Sequence, residues 1–188
     1  MPFDATHRRQ LLSLARQSIQ LGLSEGRFPP YPRTELPAHF SLPRSTFVTL
    51  RIEGNLRGCC GSIEAQRPLT EDLWRNAWAS AFSDPRFPPL TLEEYPAVAL
   101  HISVLTQLEP LPVESEAELL QTLRPGIDGL LLRLHDSQVT FLPTVWQQLP
   151  APAQFVQHLK LKAGWPAEFW SPQIRSYRYA TESFGERA

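Results

Sequence analysis

Six consecutive residues, Leu56-Arg57-Gly58-Cys59-Cys60-Gly61, hold the most reactive chemistry this sequence offers. A thiol attacks as its thiolate, and cations nearby favour that form. Arg57 lies on the same segment as Cys59, and Arg51 lies on the segment before it. The guanidinium fork of arginine also suits bidentate recognition of carboxylate or phosphate. Cys59 is therefore a candidate nucleophile or thiol carrier, and Arg51 and Arg57 are candidates to hold an anionic group. Gly61 leaves space for something to approach. Beside this stands a plainer reading, in which Cys59 is a buried spectator and the arginines reach solvent.

A hairpin must position these side chains. Ser45 to Ile52 alternates, with Val48, Leu50 and Ile52 on one face. Glu53-Gly54-Asn55 signals a turn, and Leu56 to Ile63 returns. A two-residue loop at Gly54-Asn55 would mix core and solvent positions. A three-residue loop, Glu53 to Asn55, pairs Ile52 with Leu56, Leu50 with Gly58 and Val48 with Cys60, leaving one apolar face. The other face then pairs Arg51 with Arg57, Thr49 with Cys59 and Phe47 with Gly61. Cys60 becomes a small core residue and Cys59 faces a cleft. Arg51 and Arg57, directly opposed, repel each other unless a carboxylate or a bound anion lies between them. Glu64, Asp84 and Asp128 are the internal candidates.

Around the hairpin, Thr6 to Glu25 reads as an amphipathic helix ended by Gly26. Phe28 to Pro43 reads as a long surface loop. Thr70 is placed to cap a helix reaching about Phe82, with Leu73, Ala77 and Ala81 as its buried face. Asp84-Pro85 stops it. Val98 to Leu105 predicts a buried strand and Ser115 to Leu123 a short helix. Gly129 to Leu134 and Val139 to Leu142 read as strands around a turn at His135–Gln138. Thr144 is placed to cap a short helix, and Pro152 to Ala163 predicts another, with Lys160 and Lys162 in its last turns. Gln173 to Ala180 reads as the closing strand. Helices and hairpins interleave without a βαβ rhythm, which predicts an α+β fold with a mostly antiparallel sheet.

Composition narrows the function classes. The chain has 188 residues, 42% of them apolar and 20% charged, enough for a core. A formal net charge of −1 lacks the basic excess of a dedicated nucleic-acid binder. No apolar run is long enough to span a membrane, and Met1-Pro2-Phe3-Asp4 lacks the pattern of a signal peptide. The two cysteines are adjacent and point to opposite faces of a strand, so no disulfide is expected and the thiols suit the cytoplasm. His7, His39, His101, His135 and His158 show no metal-binding spacing, so neither a metal nor another cofactor is expected. Phosphate loops and nucleophile elbows are absent from the sequence. The five tryptophans read as core or rim.

Several separated motifs together resemble the AMMECR domain family, whose bacterial and archaeal members are called AmmeMemoRadiSam system protein A. They are Phe47-Val48-Thr49-Leu50, Leu56–Gly61, Ser80–Pro89, Leu123–Leu130, Phe141–Trp146 and Leu161-Lys162-Ala163-Gly164. The family pattern usually has isoleucine at the position of Cys60, leaving Cys59 as the matching cysteine. The resemblance implies a single α+β domain over 1–188, with a larger and a smaller lobe and a cleft between. It adds Gly58, Asp84 and Arg86 to the ligand-binding candidates and Lys162 as a candidate proton-transfer partner. It also implies association with a Memo-like protein and a radical S-adenosylmethionine enzyme. Two functions follow as expectations: a small-molecule enzyme or enzyme component using Cys59, or a non-catalytic binding or accessory module.

Overall fold

The first helix begins where its sequence offers a cap. Asp4 accepts a hydrogen bond from the His7 N–H at 2.8 Å, and α1 runs Ala5–Glu25. Gly26 ends it with a left-handed φ of 66°, which glycine adopts without penalty. Leu11, Leu14, Ala15 and Ile19 face inward at helical spacing. The computed structural model describes residues 3–32 and 37–186, so 33–36 of the expected loop and Met1-Pro2 lie outside the described residues. The rest of that loop is not confined to the surface: Phe40, in a short 3-10 turn, is buried.

Strands β1 (Thr46–Ile52), β2 (Asn55–Gly61), β3 (Val98–Leu105) and β8 (Thr181–Gly185) form a sheet in the order β2-β1-β3-β8. Helix α2 (Leu69–Phe82) packs with α1 against the Val48, Leu50, Leu100 and Ile102 face. Leu73, Ala77 and Ala81 point inward as their spacing predicts. Thr70 is not the cap. Pro68 occupies that position, and the Thr70 hydroxyl instead accepts from the Tyr31 hydroxyl at 2.7 Å.

The hairpin register holds at one end and changes at the other. Phe47 pairs with Gly61, Val48 with Cys60, Thr49 with Cys59 and Leu50 with Gly58, as expected. Beyond Leu50 the ladder shifts: Arg51 pairs with Leu56 and Ile52 with Asn55. The turn is two residues, Glu53-Gly54, both at positive φ (50° and 80°), the geometry that matches strand twist. Arg57 becomes the extra residue of a β-bulge. A short turn plus a bulge uses as many residues as the expected three-residue loop, so the inner pairs coincide while Arg51 and Arg57 no longer oppose each other.

Residues 106–181 form a second compact unit, the first comprising the chain up to Leu105 and from Glu182 onward. Its sheet has the order β4-β7-β5-β6, from Glu109–Leu111, Arg175–Tyr179, Gly129–Leu134 and Ser137–Phe141. Within it, β4–β7, β7–β5 and β5–β6 are antiparallel. The molecule is thus α+β, but with two four-stranded sheets; β4 and β8 are the strands the sequence reading missed. Helices α3 (Glu116–Thr122) and α4 (Pro152–Lys162) cover the Leu130, Leu132 and Val139 side. Trp146 stacks on Phe155 with centroids 3.8 Å apart. The 3-10 turn Pro143–Gln147 starts without a side-chain cap, so Thr144 does not serve as one.

Lys160, in the last turn of α4 as expected, is only 1% exposed. Its ammonium meets both Glu116 oxygens, at 2.9 and 2.8 Å. Removing one partner of such a pair leaves a buried charge uncompensated. Glu116→Ala is expected to cost about 3 kcal/mol in urea unfolding, and Glu116→Ala/Lys160→Met less than that. A double variant at least as unstable as Glu116→Ala would contradict this.

Candidate functional site

One row of polar side chains on α2 organises the thiol motif. Asp72, Asn76 and Ser80 recur every fourth residue and so share a helix face, and Asp84 extends the row just past the helix end. This face meets the hairpin. The buried Asp72 carboxylate accepts from the Thr46 N–H (2.8 Å), the Thr46 hydroxyl (2.7 Å) and the Ser62 hydroxyl (2.6 Å). Asn76 Nδ2 donates to Asp72 (2.9 Å) and to the Thr46 carbonyl (3.1 Å). The buried Ser80 hydroxyl accepts from the Cys60 N–H (2.9 Å) and lies 2.8 Å from the Val48 carbonyl, so it bridges two residues that face each other in the ladder. Gly58 is required by the same contact: a Cβ there would sit 2.0 Å from the Ser80 carbonyl oxygen.

β2 is an outer strand, and its exposed backbone at Cys59 is satisfied by side chains. The Cys59 N–H donates to Asp84 Oδ2 at 2.8 Å, and Arg86 donates to the Cys59 carbonyl at 3.3 Å. Arg86 also grips Asp84 through Nε (2.9 Å) and Nη2 (2.7 Å). Together the pair imitates a neighbouring strand. Arg57 is bidentate to Glu94, at 2.7 and 3.0 Å, with its side chain 11% exposed. Glu94 is thus the carboxylate that pairs Arg57, in place of the three candidates the sequence suggested. Arg51 donates to the Gly54 carbonyl at 2.8 Å. Arg57 and Arg86, the cations on either side of the thiol motif, are each matched by an internal carboxylate.

Cys60 is half-buried instead of a core residue, because it sits on the outer strand beyond the close contact at Gly58. Burial, then the charge of Asp84, pushes its thiol up to about 11. Cys59 is also half-buried and lies on the opposite face. Its Sγ is 3.4 Å from the Thr49 hydroxyl, and Thr49 in turn pairs with His101 on β3. Cys59, Thr49 and His101 form a row across three strands. The His101 ring, however, lies over Gly185 on β8, where a Cβ would come within 2.6 Å of it. Gly61 likewise leaves room for the Phe47 ring, 2.3 Å from a Cβ placed there.

Lys162 belongs to the second unit. It donates to the Thr140 carbonyl at 3.0 Å and its ammonium lies 5.2 Å from the Phe141 ring centre. Asp128 is buried and holds the Arg124 N–H (2.9 Å) and guanidinium (2.7 Å), closing the Arg124–Asp128 turn. The motifs around it line a cavity of about 620 Å³, with Pro125, Gly126, Ile127, Pro143, Thr144 and Trp146 among its walls. Ile127 is 53% exposed there. The sequence reading missed Glu94, His101 and the Asp72–Asn76–Ser80 row. The four-residue spacing of that row was the available signal, while Glu94 became a partner only through the bulge.

Acid should dismantle this arrangement. Arg86, then the N–H groups of Cys59 and Arg86, hold Asp84 well below the usual carboxylate range, and Arg57 first, with Thr91, draws Glu94 down to about 2. Both pKa values are depressed on folding, so their stabilisation is complete above about pH 5 and is lost as pH falls through about 4 towards 2. Asp72, raised by burial, acts in the opposite sense. Melting temperature should therefore fall less between about pH 6 and about pH 3 in Asp84→Asn and Glu94→Gln than in the unmodified protein. Parallel profiles in all three would contradict the assignment.

Comparison with known proteins places this geometry in a family. The AMMECR1 family model matches residues 12–184. A protein of Methanothermobacter thermautotrophicus is 37% identical over 187 residues, 98% of this chain and 97% of that protein. A protein of Methanocaldococcus jannaschii is 35% identical over 154 residues, 80% of this chain and 77% of that one. The crystal structure of an uncharacterized protein from Pyrococcus horikoshii superposes with a TM-score of 0.86 at 31% identity, covering 94% of this chain and 89% of that one. The chain belongs to the AMMECR1 family.

Proposed function

We propose that the protein is a binding or accessory module whose cysteine motif is chiefly architectural. One observation carries this reading: Arg57, Asp84 and Arg86 are committed to Glu94, to each other and to the Cys59 backbone. Of the cations assigned to an anionic substrate, Arg57 and Arg86 are internally neutralised and Arg51 is turned to the Gly54 carbonyl. The recognition surface is then the concave surface around Ile127, where apolar walls carry a few polar groups, as ligand sites generally do. The family resemblance supplies the partners to test, a Memo-like protein and a radical S-adenosylmethionine enzyme, with a cytoplasmic setting.

The row Cys59–Thr49–His101 favours a second reading, an enzyme component with Cys59 as nucleophile or thiol carrier for a small anionic substrate. The two readings separate in one experiment. Calorimetric titration with each purified partner from the same organism is expected to show binding that Ile127→Glu weakens at least about tenfold, the scale of a lost buried apolar contact, while Cys59→Ser changes it less than about twofold. Loss of binding in Cys59→Ser with Ile127→Glu unaffected would overturn the proposal, as would failure of both partners to bind.

A further inference from the structure

The concave surface around Ile127 is built largely from two turns of the second unit, and each is fastened. In the first, the N–H groups of Ile127 and Asp128 both donate to the Arg124 carbonyl, at 3.1 and 3.0 Å, and Gly126 takes a left-handed φ of 79°. The second is the 3-10 turn Pro143–Gln147. Its Trp146 indole N–H donates to the Asp128 carbonyl at 2.7 Å, which ties one turn to the other. Pro125, Pro143 and Pro150 add walls whose backbone φ is fixed by the ring. The cavity is therefore formed before anything enters it, as small-molecule sites usually are.

The chemistry of the walls selects against charge. None of the lining side chains is ionisable. The charged residues that flank the first turn, Arg124 and Asp128, are bonded to each other at 2.7 Å, and Asp128 is buried. A charged ligand would give up water here without meeting a counter-ion, which is costly. Two polar side chains do face a ligand. Thr144 and Gln147 are three residues apart on the 3-10 turn, which has three residues per turn, so they line up on one side of it. Both are exposed, and neither side chain makes a hydrogen bond among the described residues. A hydroxyl and a carboxamide can each donate and accept. The site therefore sets a neutral hydrogen-bonding edge beside the apolar surface of Ile127 and the proline rings.

We propose that this cavity binds an uncharged small organic molecule, an apolar ring carrying a carboxamide, with the amide on Thr144 and Gln147 and the ring against Ile127 and the prolines. A carboxamide offers the donor and acceptor that the two side chains call for. The volume of about 620 Å³ lies within the roughly 300–1,000 Å³ of small-molecule sites. The proposal rests on the reading of this surface as the recognition surface and names the class of small molecule taken there. It is independent of the role of Cys59.

The test is an amide NMR titration with two matched pairs of probes, nicotinamide against nicotinate and benzamide against benzoate, at constant pH and ionic strength. Within a pair the size is the same and only the charge differs. At least one of the two amides is expected to bind saturably, shifting the Gly126 and Ile127 amides and the Trp146 indole N–H, while its carboxylate partner binds at least about tenfold more weakly. Thr144→Val/Gln147→Leu should weaken the amide at least about tenfold, each single variant should fall between, and Leu92→Ala, exposed in the first unit, should match the unmodified chain. Absence of saturation with both amides, equal affinity for a carboxylate, or an unaltered affinity in the double variant would overturn the proposal. The titration uses no partner protein, so its failure is distinct from a failure of the partner proteins to bind.

Discussion

The outer strand of a sheet presents N–H and C=O groups that its one neighbour cannot satisfy. In this protein that strand is β2, and it carries the thiol motif. The hydrogen bond from the Cys59 N–H to Asp84, with Arg86 returning to the Cys59 carbonyl, closes the exposed backbone. Much of the first unit is arranged around this closure. The Asp84 carboxylate stands at the end of a polar row that begins at Asp72, so the helix docks along the hairpin by hydrogen bonds as well as by apolar burial. Gly58 lets the helix backbone come close enough for Ser80 to reach between β1 and β2.

This constraint bears directly on function. Residues that look like a charged catalytic cluster in the linear sequence have structural partners in three dimensions. Arg57 reaches Glu94, and Arg86 is folded back on Asp84. The Cys59 thiol is left on the other face of the strand, beside Thr49. The second unit repeats the logic with Asp128, which holds the Arg124 turn so that Pro125, Gly126 and Ile127 can line a concave surface. Motif residues thus divide into those that fasten a strand or turn and those that the fastening presents.

The α+β class and most element positions were legible because periodicity reports burial, and burial sets them. The pairs Phe47–Gly61 to Leu50–Gly58 were legible for the same reason: only that register puts Val48 and Leu50 on one face with Gly58. The turn was not. Glu53-Gly54 with a bulge at Arg57 uses the same number of residues as a longer loop, so the apolar pattern could not distinguish them. That single ambiguity moved Arg57 from a ligand-binding face to Glu94. Lys160 lies in the last turn of α4 as read, but its burial was not legible, because a lysine there also fits the helix dipole and its partner Glu116 lies on a different helix. β4 and β8 are too short for their periodicity to stand out.

Amide hydrogen exchange at Cys59 tests the closure of β2 most directly. An edge amide facing water exchanges through local fluctuation, whereas one bonded to a fixed carboxylate exchanges only when that contact opens. In the unmodified protein the Cys59 amide should be protected to the same order as amides of the central strand β1. In Asp84→Asn its protection should fall at least about tenfold, while the Val48 and Leu50 amides keep theirs. Rapid exchange at Cys59 in the unmodified protein, or protection unaltered by Asp84→Asn, would contradict the claim that the Asp84–Arg86 pair closes this edge.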